Sequence, residues 1–103
     1  MNNDIEQFCC QLIANAGDAR SYSMEAIRCA RKKNFDKADE YLKQADVALL
    51  EAHKAQTDLL FKEANGEKTE FSVLLIHAQD HIMNAMTVKD LASELIEILK
   101  ERG

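Results

Sequence analysis

The chain has 103 residues and a net charge of −5, with three glycines and no proline. That acidity argues against a nucleic-acid-binding protein, which would need a basic face. No apolar run approaches the ~20 residues that cross a bilayer, so membrane insertion is not expected. Met1-Asn2-Asn3-Asp4 lacks a charged-then-apolar leader, and the expected location is the cytoplasm. Cys9, Cys10 and Cys29 are odd in number and fit neither a zinc pattern nor a disulfide framework, so they are read as reduced packing residues.

Two breaks divide the chain. Lys32-Lys33-Asn34-Phe35-Asp36 offers Asn34 as a helix cap and Asp36 for the helix dipole. Asn65-Gly66-Glu67-Lys68-Thr69 offers Gly66 as a left-handed stop and Thr69 as the next start. Before the first break Ile5, Cys9, Leu12, Ala16, Ala19, Ser23, Ala26 and Ala30 recur in steps of three and four, a helical period. In the second segment Phe35, Ala38, Leu42, Ala45, Leu49, Ala52, Gln56 and Leu59 do the same. The third carries Phe71, Leu74, Ala78, His81, Ala85, Val88, Ala92, Leu95 and Leu99. The expectation is one domain over 1–103, an all-α, antiparallel up-down-up bundle with helices near 3–33, 35–65 and 69–101. Gly17, and Thr87 with Asp90, are the places where a helix would bend, but both helices are expected to continue. Leu75, Ile82, Met86 and Ile96 form an adjoining apolar face on the third helix. Two apolar faces in a small, alanine-rich domain favour an oligomer.

His77, Asp80, His81 and Asn84 stand at i, i+3, i+4 and i+7, one helical face. Three chemistries compete for this strip. In the structural one, the two histidines bond to Asp80 at a helix seam. In the second they hold zinc, since histidines at i and i+4 reach one ion. His77-Ala78-Gln79-Asp80-His81 differs from the H-x-x-E-H metalloprotease pattern by its shorter aspartate, and no downstream ligand completes it. In the third, a histidine carries a phosphoryl group: neutral imidazole is a nucleophile near pH 7, and positioning supplies most of the catalysis. The absence of a glycine-rich phosphate loop disfavours nucleotide-dependent chemistry.

Ile76-His77-Ala78-Gln79-Asp80-His81-Ile82-Met83, followed by Ala85-Met86-Thr87, resembles the signature of the lactose/cellobiose-type IIA components of the bacterial phosphotransferase system. The resemblance extends to Ala14-Asn15-Ala16-Gly17-Asp18-Ala19-Arg20-Ser21, Asn34-Phe35-Asp36-Lys37-Ala38, Ala52-His53-Lys54-Ala55-Gln56-Thr57 and Glu63-Ala64-Asn65-Gly66-Glu67. It implies a homotrimer of three-helix subunits. It implies that His77 takes phosphate from HPr and passes it to a cysteine of the cognate IIB component, with the membrane component IIC engaged only indirectly. It also implies that Asp80 of three subunits shares a divalent metal, Mg2+ by family expectation. Converging carboxylates need such a cation or a proton. His81 and Gln56 are assigned supporting roles beside His77, and His53 a peripheral one. Arg20 and Ser21 are read as surface groups, and Arg28, Arg31, Lys32 and Lys33 as a solvated helix end. The alternative is a non-catalytic helical adaptor with structural histidines, and a metal-dependent hydrolase stands third.

Overall fold

A computed structural model describes residues 3–68 and 72–102. It contains three α-helices, α1 (Asn3–Arg31), α2 (Phe35–Ala64) and α3 (Val73–Arg102), in a rod of 52 × 22 × 18 Å. The two turns stop their helices in the same way. After α1, the Lys33 N–H donates to Ala30 O and the Asn34 N–H to Cys29 O, both at 2.9 Å. After α2, Gly66 donates to Glu63 O and Glu67 to Lys62 O, both at 3.0 Å. This paired pattern needs a left-handed residue at the turn. Gly66 supplies it at φ 90°, and Lys33 is forced into it at φ 63°. Asn34 caps α2 as expected, its Oδ1 accepting from the Lys37 N–H at 3.3 Å.

The third helix starts later than expected. Ser72 is its cap: Oγ accepts from the Leu75 N–H and the carbonyl from the Ile76 N–H, both at 3.1 Å. Thr69 and Phe71 lie outside the described residues. Helices α1 and α3 run unbroken through Gly17 and Thr87. The Thr87 hydroxyl donates to Met83 O at 3.2 Å, so it bonds back along its own helix instead of capping a new one.

Alanine sets the packing. Ala38, Ala45 and Ala52 of α2, and Ala78, Ala85 and Ala92 of α3, recur every seven residues and are all buried. They face Ala16, Ala19, Ala26 and Ala30 of α1, also buried. A seven-residue repeat keeps a seam in register between nearly aligned helices, and small side chains let the axes approach closely. Helix α1 lies against both partners along its length, whereas α2 and α3 touch each other much less. Leu12, Ile82 and Ile96 are the largest apolar side chains fully enclosed. The buried face of α3 is Leu75, Ala78, Ile82, Ala85, Ala92 and Ile96. The sequence period had centred that face on the row through Leu74, His81, Val88 and Leu95. The helix is instead turned towards the adjoining face, which places Leu95 and His81 outside the core.

Two ion pairs clasp the thin α2–α3 seam: Lys89 to Asp46 at 2.8 Å, and Lys100 to Asp39 at 2.9 Å. The hydrogen bond from Lys100 to Asp39 raises the lysine above its usual range, with attraction to Asp39 and Glu97 adding to it. A raised lysine contributes fully below its ordinary pKa and loses the effect only as pH climbs through the folded value. The lysine therefore keeps its charge in this clasp at neutral pH and gives it up in alkali. The three cysteines are free thiols; Cys9 is buried, Cys29 is half-buried, and Cys10 is exposed, contrary to a packing role for it. Burial, and then the neighbouring Cys10, push the Cys9 thiol up, which keeps it unreactive.

Lys33→Gly should raise unfolding stability by about 1 kcal/mol, because glycine has no Cβ to strain the left-handed position. Urea denaturation at one fixed protein concentration checks this, and an unchanged or lower midpoint would show that the turn carries no such strain.

Candidate functional site

The site is built on the first three turns of α3. Helical side chains lean towards the N-terminus, so residues four apart stack along one face. His77 and His81 do so on the surface. Their Nε2 atoms are 2.9 Å apart, with ring centroids 4.3 Å apart and planes at 86°. At that distance one Nε2 carries a hydrogen and the other presents its lone pair. His77 is exposed and His81 half-buried. Two sequence expectations change here. His81 does not sit in the core, and the partner of each histidine is the other histidine, not Asp80.

Asp80 points to a different side. It lines a groove of about 410 Å³ between α2 and α3, together with Leu59, Leu75, Ile76, Gln79 and Met83. No hydrogen bond or ion pair holds its carboxylate among the described residues. Its own face of α3 is apolar and exposed: Val73, Ile76, Met83, Leu91, Leu95 and Ile98 all stand open to solvent, Ile76 by 60% and Met83 by 53%. No group of three or more histidine, cysteine, aspartate or glutamate side chains is placed to hold a metal among the described residues. One chain therefore offers a cation a single carboxylate at this point. The residue fits a metal only where further copies bring their own Asp80 to it.

Gln56 does not touch the histidines. Its Nε2–H donates to Gln79 Oε1 at 2.5 Å, joining α2 to α3 across the half-buried seam. Gln79 is the site residue that sequence reasoning missed. The signal was present: a glutamine on each of two facing helices, each at the edge of an apolar row. His53 is exposed and lines a separate groove with Leu50, Met86, Lys89 and Asp90. Asn84 is exposed beyond His81. Arg28 pairs with Glu25, one turn away on the surface, and Arg20 and Ser21 are exposed on α1.

Three nearly aligned helices thus carry a paired-histidine face on the open surface near one end of the third. The family model described as "PTS system, Lactose/Cellobiose specific IIA subunit" matches residues 7–100. The chain belongs to this family, the phosphotransfer proteins of the sugar phosphotransferase system. It is 48% identical to the lichenan-specific phosphotransferase enzyme IIA component of Bacillus subtilis, over 98% of this chain and 92% of that protein. The crystal structure of the cellobiose-specific enzyme IIA from Bacillus anthracis superposes with a TM-score of 0.93 at 53% identity, covering 98% of this chain and 93% of that one. A IIA(Chitobiose)–HPr complex from the N,N'-diacetylchitobiose branch of the Escherichia coli phosphotransferase system matches with a TM-score of 0.80 at 38% identity, covering 93% of each chain. No described helix is long and apolar enough to cross a membrane.

Gln56→Leu leaves the Gln79 carbonyl without its donor and should cost about 1 kcal/mol. Adding Gln79→Leu should recover part of that loss. A double-mutant cycle in urea measures the coupling, and strictly additive effects would mean that the bond contributes nothing.

Proposed function

We propose that this chain is a cytoplasmic phosphocarrier that accepts a phosphoryl group from phospho-HPr on His77 Nε2 and passes it to a cysteine of a IIB component. The observation that carries this reading is the Nε2–Nε2 contact on the open face of α3. When His81 holds the hydrogen, its N–H donates to the His77 Nε2 lone pair and keeps that nitrogen unprotonated, and the His81 ring turns aside to free the lone pair for attack. The incoming phosphorus then forms its bond to that nitrogen while the bond to the donor breaks, and the electron pair leaves with the donor. The His81 N–H turns from the nitrogen to a phosphoryl oxygen, where charge accumulates. In the second half, a thiolate of IIB attacks the same phosphorus and His77 recovers its lone pair. Both partners need the same exposed edge, so they bind in turn. IIC takes part only through IIB, and no sugar is bound here. The HPr complex formed by the chitobiose relative supports HPr as the donor.

The working form in this proposal is a homotrimer. The exposed row Val73, Ile76, Met83, Leu91, Leu95 and Ile98 is an unburied helix face that needs a partner. Asp80 lies at its N-terminal end, among Val73, Ile76 and Met83. Around a threefold axis its three copies converge and take a divalent, oxygen-preferring cation such as Mg2+, which neutralises their repulsion. Gln56 supports the site indirectly, through Gln79 and the spacing of α2 from α3.

Intact-mass spectrometry after incubation with phosphoenolpyruvate, enzyme I and HPr tests the carrier reading. Wild type should gain one acid-labile phosphate and His77→Ala none. No gain on wild type, with active partners, would return the chain to an adaptor role. His81→Phe should slow acceptance by roughly 10- to 100-fold, less than the loss of an enclosed oxyanion donor, because the ring is half-exposed. His81→Gln, which keeps an N–H, should recover part of that rate. Asp80→Leu should abolish Mg2+ binding yet leave the trimer at least as stable, since it replaces converging charges by apolar contact. Light scattering reads the mass, and a monomeric variant would show that the metal bridge is what holds the subunits.

A further inference from the structure

We propose that His77 and His81 also form a chelating site for a borderline transition-metal ion of the zinc class, and that a metal bound there blocks phosphoryl acceptance. The second half of this inference rests on the carrier reading; the first half does not.

The geometry is that of a bidentate pair. Zinc bonds imidazole nitrogen at about 2.0–2.1 Å in a tetrahedral arrangement, which sets two such nitrogens roughly 3.3 Å apart. The two Nε2 atoms already stand at 2.9 Å, on consecutive turns of one rigid helix. Opening the rings by a few tenths of an ångström admits the ion. The ring planes stand at 86°, so the faces do not stack, and a modest turn of each ring about its own side-chain torsions aims both nitrogens at one ion. Proton balance is simple. In the metal-free pair, one ring carries its hydrogen on Nε2. On binding, that ring moves its hydrogen to Nδ1, and both Nε2 lone pairs coordinate with no net proton released.

Ligand chemistry separates this site from the Asp80 position. Neutral imidazole suits zinc, copper and nickel, whereas carboxylate oxygen suits magnesium and calcium. The site is also incomplete as a structural centre. No set of three or more histidine, cysteine, aspartate or glutamate side chains converges among the described residues. Water must fill the remaining positions, so the ion is exchangeable. It would occupy the lone pair that attacks phosphorus. Metal and phosphoryl group therefore exclude one another, which makes free zinc an inhibitor and phosphorylation a protection against it.

The test uses the full chain in excess Mg2+, which saturates carboxylate sites, with Cys10→Ser and Cys29→Ser removing the more accessible thiols. Calorimetric titration with zinc chloride should show one ion per chain. His77→Ala or His81→Phe should each weaken it by about tenfold or more, because chelation is lost. Asp80→Asn and His53→Ala should leave it unchanged. Binding that is absent, or indifferent to both site histidines, overturns the site. Acceptance from purified phospho-HPr should fall by about tenfold or more in the zinc-loaded chain and return with a chelator, since coordinated nitrogen has no free lone pair. An undiminished rate in the zinc-loaded chain overturns the block. If the zinc-free chain accepts nothing, the carrier reading fails, and the titration still decides the metal site.

Discussion

The alanine seam along α1 is the constraint on which the rest of the structure depends. A residue that small, repeated every seven positions on α2 and α3, allows both helices to lie close to α1 over most of its length. The same geometry limits what α2 and α3 can give each other. Their mutual contact is a thin line of two ion pairs, a glutamine bond and open grooves. Alanine buries little area per residue, so the subunit gains modest stability from its own core. Many large apolar side chains remain exposed, Val73, Ile76, Met83, Leu91, Leu95 and Ile98 on α3 and Val47, Leu50, Leu60 and Phe61 on α2. Close internal packing and an unpartnered outer face have one cause: the big residues were not needed inside.

The chemistry uses the rigidity that this seam provides. Two histidines four residues apart meet wherever a helix is regular, but their relation is useful only if the helix does not flex between them. Here α3 is anchored through Ala78, Ile82 and Ala85, which alternate along the chain with the polar groups. Every step outwards to His77, Asp80 or His81 is matched by a step inwards to the core. The Gln56–Gln79 bond adds one lateral tie from α2 at this level. His77 thus has a fixed base and an open edge, which suits the proposed hand-over of a phosphoryl group from one macromolecule to another. An enclosed pocket would obstruct that exchange.

The separation of the histidines from Asp80 has a similar origin. A difference of three residues rotates a side chain around the helix by roughly 60° from the direct line of its neighbours. That rotation puts the imidazole pair on one flank of α3 and the carboxylate in the groove facing α2. In the proposed trimer, a cation at Asp80 and a phosphoryl group at His77 would therefore lie on different sides of α3.

The number of helices, their near-complete spans and the two turns were legible in the residues alone. Heptad-spaced apolar positions, Asn34 and Gly66 each impose a local geometry whatever lies around them. So was the histidine face, because i and i+4 meet on any helix. The left-handed Lys33 was not legible, since nothing local favours lysine there and only the docking of α2 on α1 demands it. Nor was the late start of α3 at Ser72, where Thr69 offers an equally good cap chemistry. The rotation of α3 was decided by tertiary packing alone. Its sequence has apolar side chains nearly all round, and periodicity cannot choose between two adequate faces. Contact with the alanines of α1 chose the narrower one, placing Ile82 and Ile96 inside and leaving His81 half outside. That choice sets which histidine contacts exist, because a hydrogen-bond partner depends on an angle of rotation that the order of residues does not specify.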